Sequence, residues 1–430
     1  MNLKITAPAI ISGRIKLPAS KSISNRMLLL SELAGRKIQL TNISDCDDTF
    51  VMLRALKRGS IIDKSPCTHA TRVQGALNEQ SEVVDIMAAG TAMRFLTAYY
   101  ATREGADIVI TGTERMRHRP IRLLVDALRS LGAVIDYEGE QGYPPLRIKG
   151  KKLDGGSISL PGNVSSQYIS ALLMTAPTMK KGLTLHIEGE TISRPYINIT
   201  LSLMRRFGIT IDEPDKSTYI IHAGEYSGGD YLIENDWSAA SYWYEALALA
   251  DEGELLLEGL FADSLQGDSC VSRLFAPLGV ATEFSGNDAV LRKTQKAIAR
   301  YDADLTECPD LAQTMVAACC AMGVPFRFGG LQSLRIKETD RLLALRQELA
   351  KFGFHIEERQ GSILEWDGQK GEPTQDIAIK TYDDHRMAMC LAPLALLKSG
   401  LQILDAQVVS KSYPTFWQDL KSMGYGAEGL

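Results

Sequence analysis

The cations of this chain recur at helix starts, where chemistry on a multiply anionic substrate would need them. Lys21 and Arg26 lie in Ala19-Ser20-Lys21-Ser22-Ile23-Ser24-Asn25-Arg26, Arg94 follows Gly90-Thr91, and Arg386 follows Asp383-Asp384-His385. A second set stands at Arg119-Pro120, at Lys337-Glu338-Thr339-Asp340-Arg341, and at Lys411 just before Pro414. Ser165-Ser166-Gln167 and Asp310 open two further helices. Ser and Asp are ordinary N-caps there, but a Lys or Arg beside the positive end of a helix dipole is opposed by it. Unpaired N–H groups favour anions at those same ends, so added cations describe a site for ligands with several negative charges. Lys337 and Arg341, four residues apart, would share a helix face and repel by roughly 0.2–0.5 kcal/mol unless something negative lies between them. Glu338, three residues before Arg341, can be that group. Two carboxylates, Asp310 and Glu338, thus stand among cations, where they could take and give protons.

Other chemistries lack their residues. Neither a Gly-x-x-x-x-Gly-Lys-Ser/Thr loop nor a Gly-x-Gly-x-x-Gly turn is present to cradle a nucleotide. The 6 His are scattered and the 7 Cys include no Cys-x-x-Cys pair, so no zinc site, other metal, cofactor or disulfide framework is expected. Cys319 and Cys320 fall in an apolar helix and read as buried thiols. With 47 basic against 52 acidic residues the net charge is -5, which predicts neither nucleic acid nor an anionic membrane as partner. Any anion must then be caught by local clusters. The longest uncharged stretch, Gly155 to Met179, is broken up by Gly, Pro, Asn and Ser, so it lacks the ~20 consecutive, predominantly apolar residues of a membrane helix. The first residues show no signal-peptide apolar core, so a cytoplasmic protein is the expectation.

What positions these residues is a repeat. Amphipathic helices end in Gly59, Gly132, Gly208, Gly279, Gly353 and Gly424, 71–76 residues apart, and Gly suits the left-handed residue that stops a helix. A more apolar helix recurs in the same phase, in SNRMLLLSELA, GTAMRFLTAYYA, SSQYISALLMTA, SAASYWYEALALA, DLAQTMVAACCAM and DHRMAMCLAPLALL. Each is preceded and followed by strand-like sequence, so the unit is β-α-β-α-β-β, with the apolar helix buried. Six units exceed one core, so they group three and three into two domains. The last copy stops after Gly424 without its closing strands, and the opening segment Leu3-Lys4-Ile5-Thr6-Ala7-Pro8 can supply one. The expected domains are therefore 1–18 with 235–430, and 19–234, with crossings near Pro18 to Lys21 and Glu234 to Asp236.

These motifs carry a family likeness. Leu17 to Arg26 (LPASKSISNR), Ala89 to Arg94 (AGTAMR), Arg119-Pro120-Ile121, Ser165-Ser166-Gln167, Lys337 to Arg341 (KETDR) and Asp384 to Met389 (DHRMAM) resemble, in order along essentially the whole chain, the signatures of the 5-enolpyruvylshikimate-3-phosphate synthase family of enolpyruvyl transferases. The resemblance implies an α/β fold, a two-domain inside-out α/β barrel with three β-α-β-α-β-β repeats per domain and the active site in the cleft between them. It implies transfer of the enolpyruvyl group of phosphoenolpyruvate to the 5-hydroxyl of shikimate 3-phosphate, with phosphate released, in aromatic amino-acid biosynthesis. Lys21, Ser22, Arg26, Ser165, Ser166, Gln167, Ser193, Tyr196, Asp310, Ser333 and Lys337 would bind shikimate 3-phosphate. Lys21, Gly90, Arg119, Gln167, Arg341, Arg386 and Lys411 would hold phosphoenolpyruvate. Ala88 and Ser333 depart from the family, each standing where many members have Asn. Gly90 and Thr91 resemble the glyphosate-sensitive class.

The reaction needs a proton delivered to C3 of phosphoenolpyruvate and one removed from the 5-hydroxyl, through a tetrahedral adduct. Asp310 is the expected base. Glu338 is the candidate acid, with Lys21 competing, although Lys337 and Arg341 beside Glu338 oppose an acid role near neutrality. Closure of the two domains on shikimate 3-phosphate is expected, since both supply ligands. Two rivals differ in their residues. A transferase acting on a UDP-linked N-acetylglucosamine shares the fold, but usually carries a reactive loop Cys absent from Arg115 to Pro120. A six-repeat DNA clamp would want its cations on exposed helix faces.

Overall fold

A computed structural model describes residues 1–56, 82–189 and 194–429. Gly59 and Ser193 lie outside these described residues. The chain forms two compact units, one of Met1–Ser20 with Glu234–Leu430 and one of Lys21–Ile233.

One strand order recurs in the four-stranded sheets among the described residues. In the unit Lys21–Ile233, one sheet runs Glu82–Asp85, Asp107–Thr111, Leu146–Lys149, Val134–Tyr137, and another Gly156–Pro161, Leu183–Glu188, Thr218–Ile221, Ile211–Asp215. The first two strands of each pair in parallel, and the last to form inserts antiparallel between the second and third. A parallel pair needs a crossover, and in these two sheets the buried helices Gly90–Thr102 and Ser166–Thr175 provide it. The other unit repeats the order in Tyr301–Asp304, Phe326–Gly329, Ile363–Trp366, Glu357–Arg359 around the helix Ala312–Ala321.

The first and fourth repeats depart from the expected membership. Residues 13–18 precede the first apolar helix and 230–235 the fourth, yet Ile10–Lys16 pairs in parallel with Glu252–Glu258 of the fourth repeat. Gly229–Leu232 pairs in parallel with Ile38–Thr41 of the first. The two connecting segments run antiparallel, with Ser20 N–H donating to Glu234 O and Asp236 N–H to Pro18 O, both at 2.9 Å. Each opening strand stays in the sheet of its own unit while the chain leaves for the other, so strands adjacent in sequence to a helix are exchanged. Alternation cannot reveal this, because either strand satisfies either sheet.

The sixth repeat differs too. It does have a closing strand, Gly426–Gly429, and Leu3–Thr6 inserts between it and Leu401–Ile403, antiparallel to both. The chain start thus fills the place of the missing fourth strand.

Strands such as Leu3–Thr6 and Leu183–Glu188 alternate buried and more exposed positions, whereas the first helix of each repeat is buried along most of its length. Helices therefore lie inside and sheets outside, an α/β architecture turned inside out. The Gly helix stops at 132, 208, 279, 353 and 424 all have φ between 86° and 101°, the region that costs other residues most. Cys319 and Cys320 are buried, and burial pushes both thiols up.

One buried group is out of keeping with this interior. Glu245, in the apolar helix Trp237–Leu249, is fully buried and neither carboxylate oxygen has a hydrogen-bond partner among the described residues. Burial pushes its carboxyl well above the usual range. Below the unfolded value near 4.5 both states hold the proton; above it the unfolded chain releases a proton that the folded chain keeps, so this group removes stability as pH rises. Glu245→Leu is expected to raise stability by about 1–3 kcal/mol near pH 7 and to flatten the fall of Tm between about pH 5 and 8, as followed by thermal melts at several pH values.

Candidate active site

In the unit containing the chain ends, the site is built around one guanidinium. Arg341 begins the helix Arg341–Ala350, capped by Asp340, whose carboxylate accepts from Leu343 N–H at 3.2 Å. Only 1% exposed, Arg341 reaches three carboxylates. Its Nε and Nη2 donate to Asp384 at 2.7 and 3.3 Å, Nη1 to Asp310 at 2.9 Å and Nη2 to Glu338 at 2.9 Å. Burial opposes its charge, but Asp384, Glu338 and Asp310 together outweigh that and raise its pKa. The forked contact with Asp384 is the geometry a planar guanidinium favours.

The remaining groups join through the same acids. Lys411 Nζ lies 2.9 Å from Glu338 Oε1, Arg386 Nη2 3.1 Å from Asp310 Oδ2, and Lys337 Nζ 3.8 Å from Asp310 Oδ1. Asp384 also caps the helix His385–Leu391, accepting from the N–H of Arg386 at 2.9 Å. The expected pairing within the Lys337 to Arg341 motif is therefore altered: Lys337 precedes the Asp340 cap and is not on the helix, so it never faces Arg341 across a turn. Glu338 bridges Arg341 and Lys411, while Lys337 turns to Asp310. Ser333 lies in the short 3-10 turn Gln332–Ile336, and its Oγ is buried without a hydrogen-bond partner among the described residues.

In the unit Lys21–Ile233, Lys21 opens the helix Lys21–Leu33 and its Nζ lies 3.3 Å from the buried Asp48. Arg26, one turn on, is 3% exposed. Its donors go to Thr200 Oγ1 at 2.8 Å, Ser22 O at 2.8 Å, Tyr196 O at 3.1 Å and Ser170 Oγ at 3.3 Å, and it lies over the Phe95 ring. No carboxylate pairs with it among the described residues, and burial lowers its pKa to about 10. A buried cation with only neutral acceptors adds positive potential to this helix start.

Gly90 begins the helix Gly90–Thr102, and a Cβ built on it would stand 2.6 Å from Arg119 Nη1. The absent side chain is what lets the guanidinium lie against the helix start. Arg94 fastens the loop that carries Arg119 there, donating to Gly90 O at 3.1 Å and Pro120 O at 3.2 Å. Ser165 caps the helix Ser166–Thr175, accepting from Gln167 N–H at 3.3 Å, and Gln167 Nε2 donates to Thr91 Oγ1 at 3.0 Å.

The structure thus brings Asp310, Glu338, Lys337, Arg341, Arg386 and Lys411 into one network within one unit. Within the other it joins Gly90 to Arg119, Gln167 to Thr91, and Arg26 to the backbone of Ser22 and Tyr196. Sequence reading missed Asp48, the partner of Lys21, and Ser238, whose Oγ accepts from Arg386 Nη2 at 3.3 Å and hydrogen-bonds in turn to Asp268. Asp268 lies in the turn Gly267–Cys270 outside any periodic element; a lone acidic residue beside an apolar helix was the only available signal. Among the described residues no group of three or more His, Cys, Asp and Glu could hold a metal, and no helix is long and apolar enough to cross a membrane.

Comparison with known proteins gives the family of the chain. The family model for EPSP synthase (3-phosphoshikimate 1-carboxyvinyltransferase) matches residues 5–420. A 3-phosphoshikimate 1-carboxyvinyltransferase of Bacteroides fragilis (strain YCH46) is 49% identical over 426 residues, covering 99% of this chain and 98% of the relative. One of Photobacterium damsela subsp. piscicida is 39% identical over 428 residues, covering 96% and 97%. The solved structure of EPSP synthase from Acinetobacter baumannii shares the fold over 100% of both chains, with a TM-score of 0.73 at 21% identity. By extent and identity, the chain belongs to the EPSP synthase (3-phosphoshikimate 1-carboxyvinyltransferase) family.

Proposed function

We propose that Asp310 and Glu338, held by Lys337, Arg341, Arg386 and Lys411, carry the family's reaction in this chain. In that reaction the enolpyruvyl group of phosphoenolpyruvate passes to the 5-hydroxyl of shikimate 3-phosphate. The observation that supports this reading most directly is the shared network: two carboxylates ion-paired to four cations, with Arg341 common to both. Such an array binds anions by sharing its cations, and it holds acids and bases in fixed places.

Asp310 removes the proton of the 5-hydroxyl as its oxygen bonds to C2 of phosphoenolpyruvate, and an acid protonates C3. Collapse of the tetrahedral adduct breaks the C2–O bond to phosphate, and C3 loses a proton. Glu338 is the proposed acid toward C3, and Lys21 is its competitor. Arg119, Arg341, Arg386 and Lys411, with Lys21, Gly90 and Gln167, take phosphoenolpyruvate, because guanidinium forks match carboxylate and phosphate. Ser22, Arg26, Ser165, Ser166, Gln167, Ser193, Tyr196, Ser333 and Lys337, with Lys21 and Asp310, take shikimate 3-phosphate. Four of the five N–H donors of Arg26 are already used, so its part is chiefly to hold Ser22 and Tyr196 in place and to add charge. The reading takes the chain as a monomeric enzyme. The free cysteines suit a reducing cytoplasm.

Phosphate release that requires both phosphoenolpyruvate and shikimate 3-phosphate tests the reading; release with a UDP-linked amino sugar instead would replace it by the sister reaction. Glu338→Gln is expected to lower kcat by about 10²- to 10⁴-fold with shikimate 3-phosphate binding retained. Unchanged turnover with intact binding would pass the acid role to Lys21. Because the assigned ligands lie on both units, small-angle scattering should show compaction on adding both substrates, and identical profiles count against it. Gly90→Ala must displace Arg119, so KM for phosphoenolpyruvate should rise roughly tenfold or more, the loss of one charge-assisted hydrogen bond, while Tm stays near that of the parent.

A further inference from the structure

We infer that Asp268 is a positioning residue for the phosphoenolpyruvate half of the reaction: through the Ser238 hydroxyl it holds one Nη2 proton of the Arg386 guanidinium while Asp310 holds the other. The inference rests on the reading above that Arg386 holds phosphoenolpyruvate.

Asp268 is 4% exposed in the turn Gly267–Cys270, and its carboxylate is hydrogen-bonded to Ser238 Oγ. Ser238 is itself fixed, as the second residue of the helix Trp237–Leu249, with its N–H donated to the capping Asp236 at 2.8 Å. A hydroxyl has one proton and two lone pairs, and a guanidinium can only donate. With Arg386 Nη2 donating to Ser238 Oγ at 3.3 Å, the Ser238 proton must go to Asp268. The relay therefore has a direction, from Arg386 to Ser238 to Asp268. The other Nη2 proton goes to Asp310 Oδ2 at 3.1 Å, and Nη1 donates to Asp310 O at 3.4 Å. The relay thus gives Arg386 Nη2 a partner other than Asp310. Asp310 is the proposed base, and a second anchor lessens the coupling of the guanidinium to the proton that base takes.

The charge around Asp268 gives the relay a signature. It faces the carboxylates of Asp310 and Asp236, the Arg386 guanidinium, the Ser238 hydroxyl and the Cys308 thiol. Burial first, then the Asp310 charge, push its carboxyl up to about 6. Above that pH it accepts from Ser238. Below it the protonated acid becomes a donor, and the Ser238 proton, which a guanidinium cannot accept, loses its partner, so the relay is broken.

The test is steady-state kinetics on the full chain. Asp268→Asn, which keeps the shape and removes the charge, is expected to raise KM for phosphoenolpyruvate about tenfold, leave the dissociation constant for shikimate 3-phosphate within twofold, and abolish an acidic limb near pH 6 in kcat/KM. Ser238→Ala should do the same, Ser238→Thr should retain the parent values, and Asp268→Asn should add nothing to Ser238→Ala. A purely structural role would lower Tm and affect both substrates alike. Should Asp268→Asn not fold, Ser238→Ala carries the same three readouts. An unchanged KM and acidic limb, or effects of the two variants that multiply, would overturn the inference. A parent chain that does not turn over the two substrates together would overturn the functional reading instead.

Discussion

Arg341 is the constraint on which the arrangement of the unit containing the chain ends depends. A guanidinium taken almost wholly out of water must be repaid by partners close enough to offset its desolvation, and here three carboxylates do so at 2.7–2.9 Å. Those carboxylates come from different places in the chain: Asp310 before one buried helix, Glu338 just before the Asp340 cap, and Asp384 at the cap of another. Satisfying Arg341 therefore fixes the relative placement of the fifth and sixth repeats. The Arg386, Ser238 and Asp268 contacts extend the same network to the fourth.

This gives the repeat architecture a chemical use. Each repeat buries an apolar helix and leaves its N-terminal end with polar work to do, and three repeats bring three such ends into one network. The other unit follows the same plan with less compensation. Arg26 is buried against hydroxyls and carbonyls with no acid beside it among the described residues, and Arg119 lies against a glycine that makes room for it. One unit thus holds its cations on carboxylates that can also move protons, while the other holds buried or closely packed cations whose charge is less fully offset. That division suits a reaction in which proton transfer and anion capture have to be arranged separately.

Much of the candidate site was legible because the chemistry of helix ends is local. A Lys or Arg placed against the dipole is visible in a few residues, and so are an Asp cap and a glycine stop. What stayed hidden were partners supplied across the fold. Glu338 seemed placed between Lys337 and Arg341, but the Asp340 cap removes Lys337 from the helix and leaves Lys411 as the second cation. Asp48 stands in the first turn of the helix Asp47–Ala55, where an acid reads as an ordinary partner of the helix dipole, and Asp268 lies in the short turn Gly267–Cys270, so nothing in their neighbourhoods marks them as partners of Lys21 and, through Ser238, Arg386.

The fold divides in the same way. By itself the sequence determined the six repeats, the buried first helices and the glycine stops, and it pointed to a chain start that completes the last sheet, because burial and backbone conformation are written into residue type and period. The expected domain bounds already separate the two strands at the crossings from the helices they precede, but only the tertiary structure decided which strand each one pairs with. Ile10–Lys16 and Gly229–Leu232 exchange their expected repeats, since both are strands of the same period and each sheet accepts either one. Hydrophobic alternation specifies a face, and the choice of neighbour is made by the path of the whole chain.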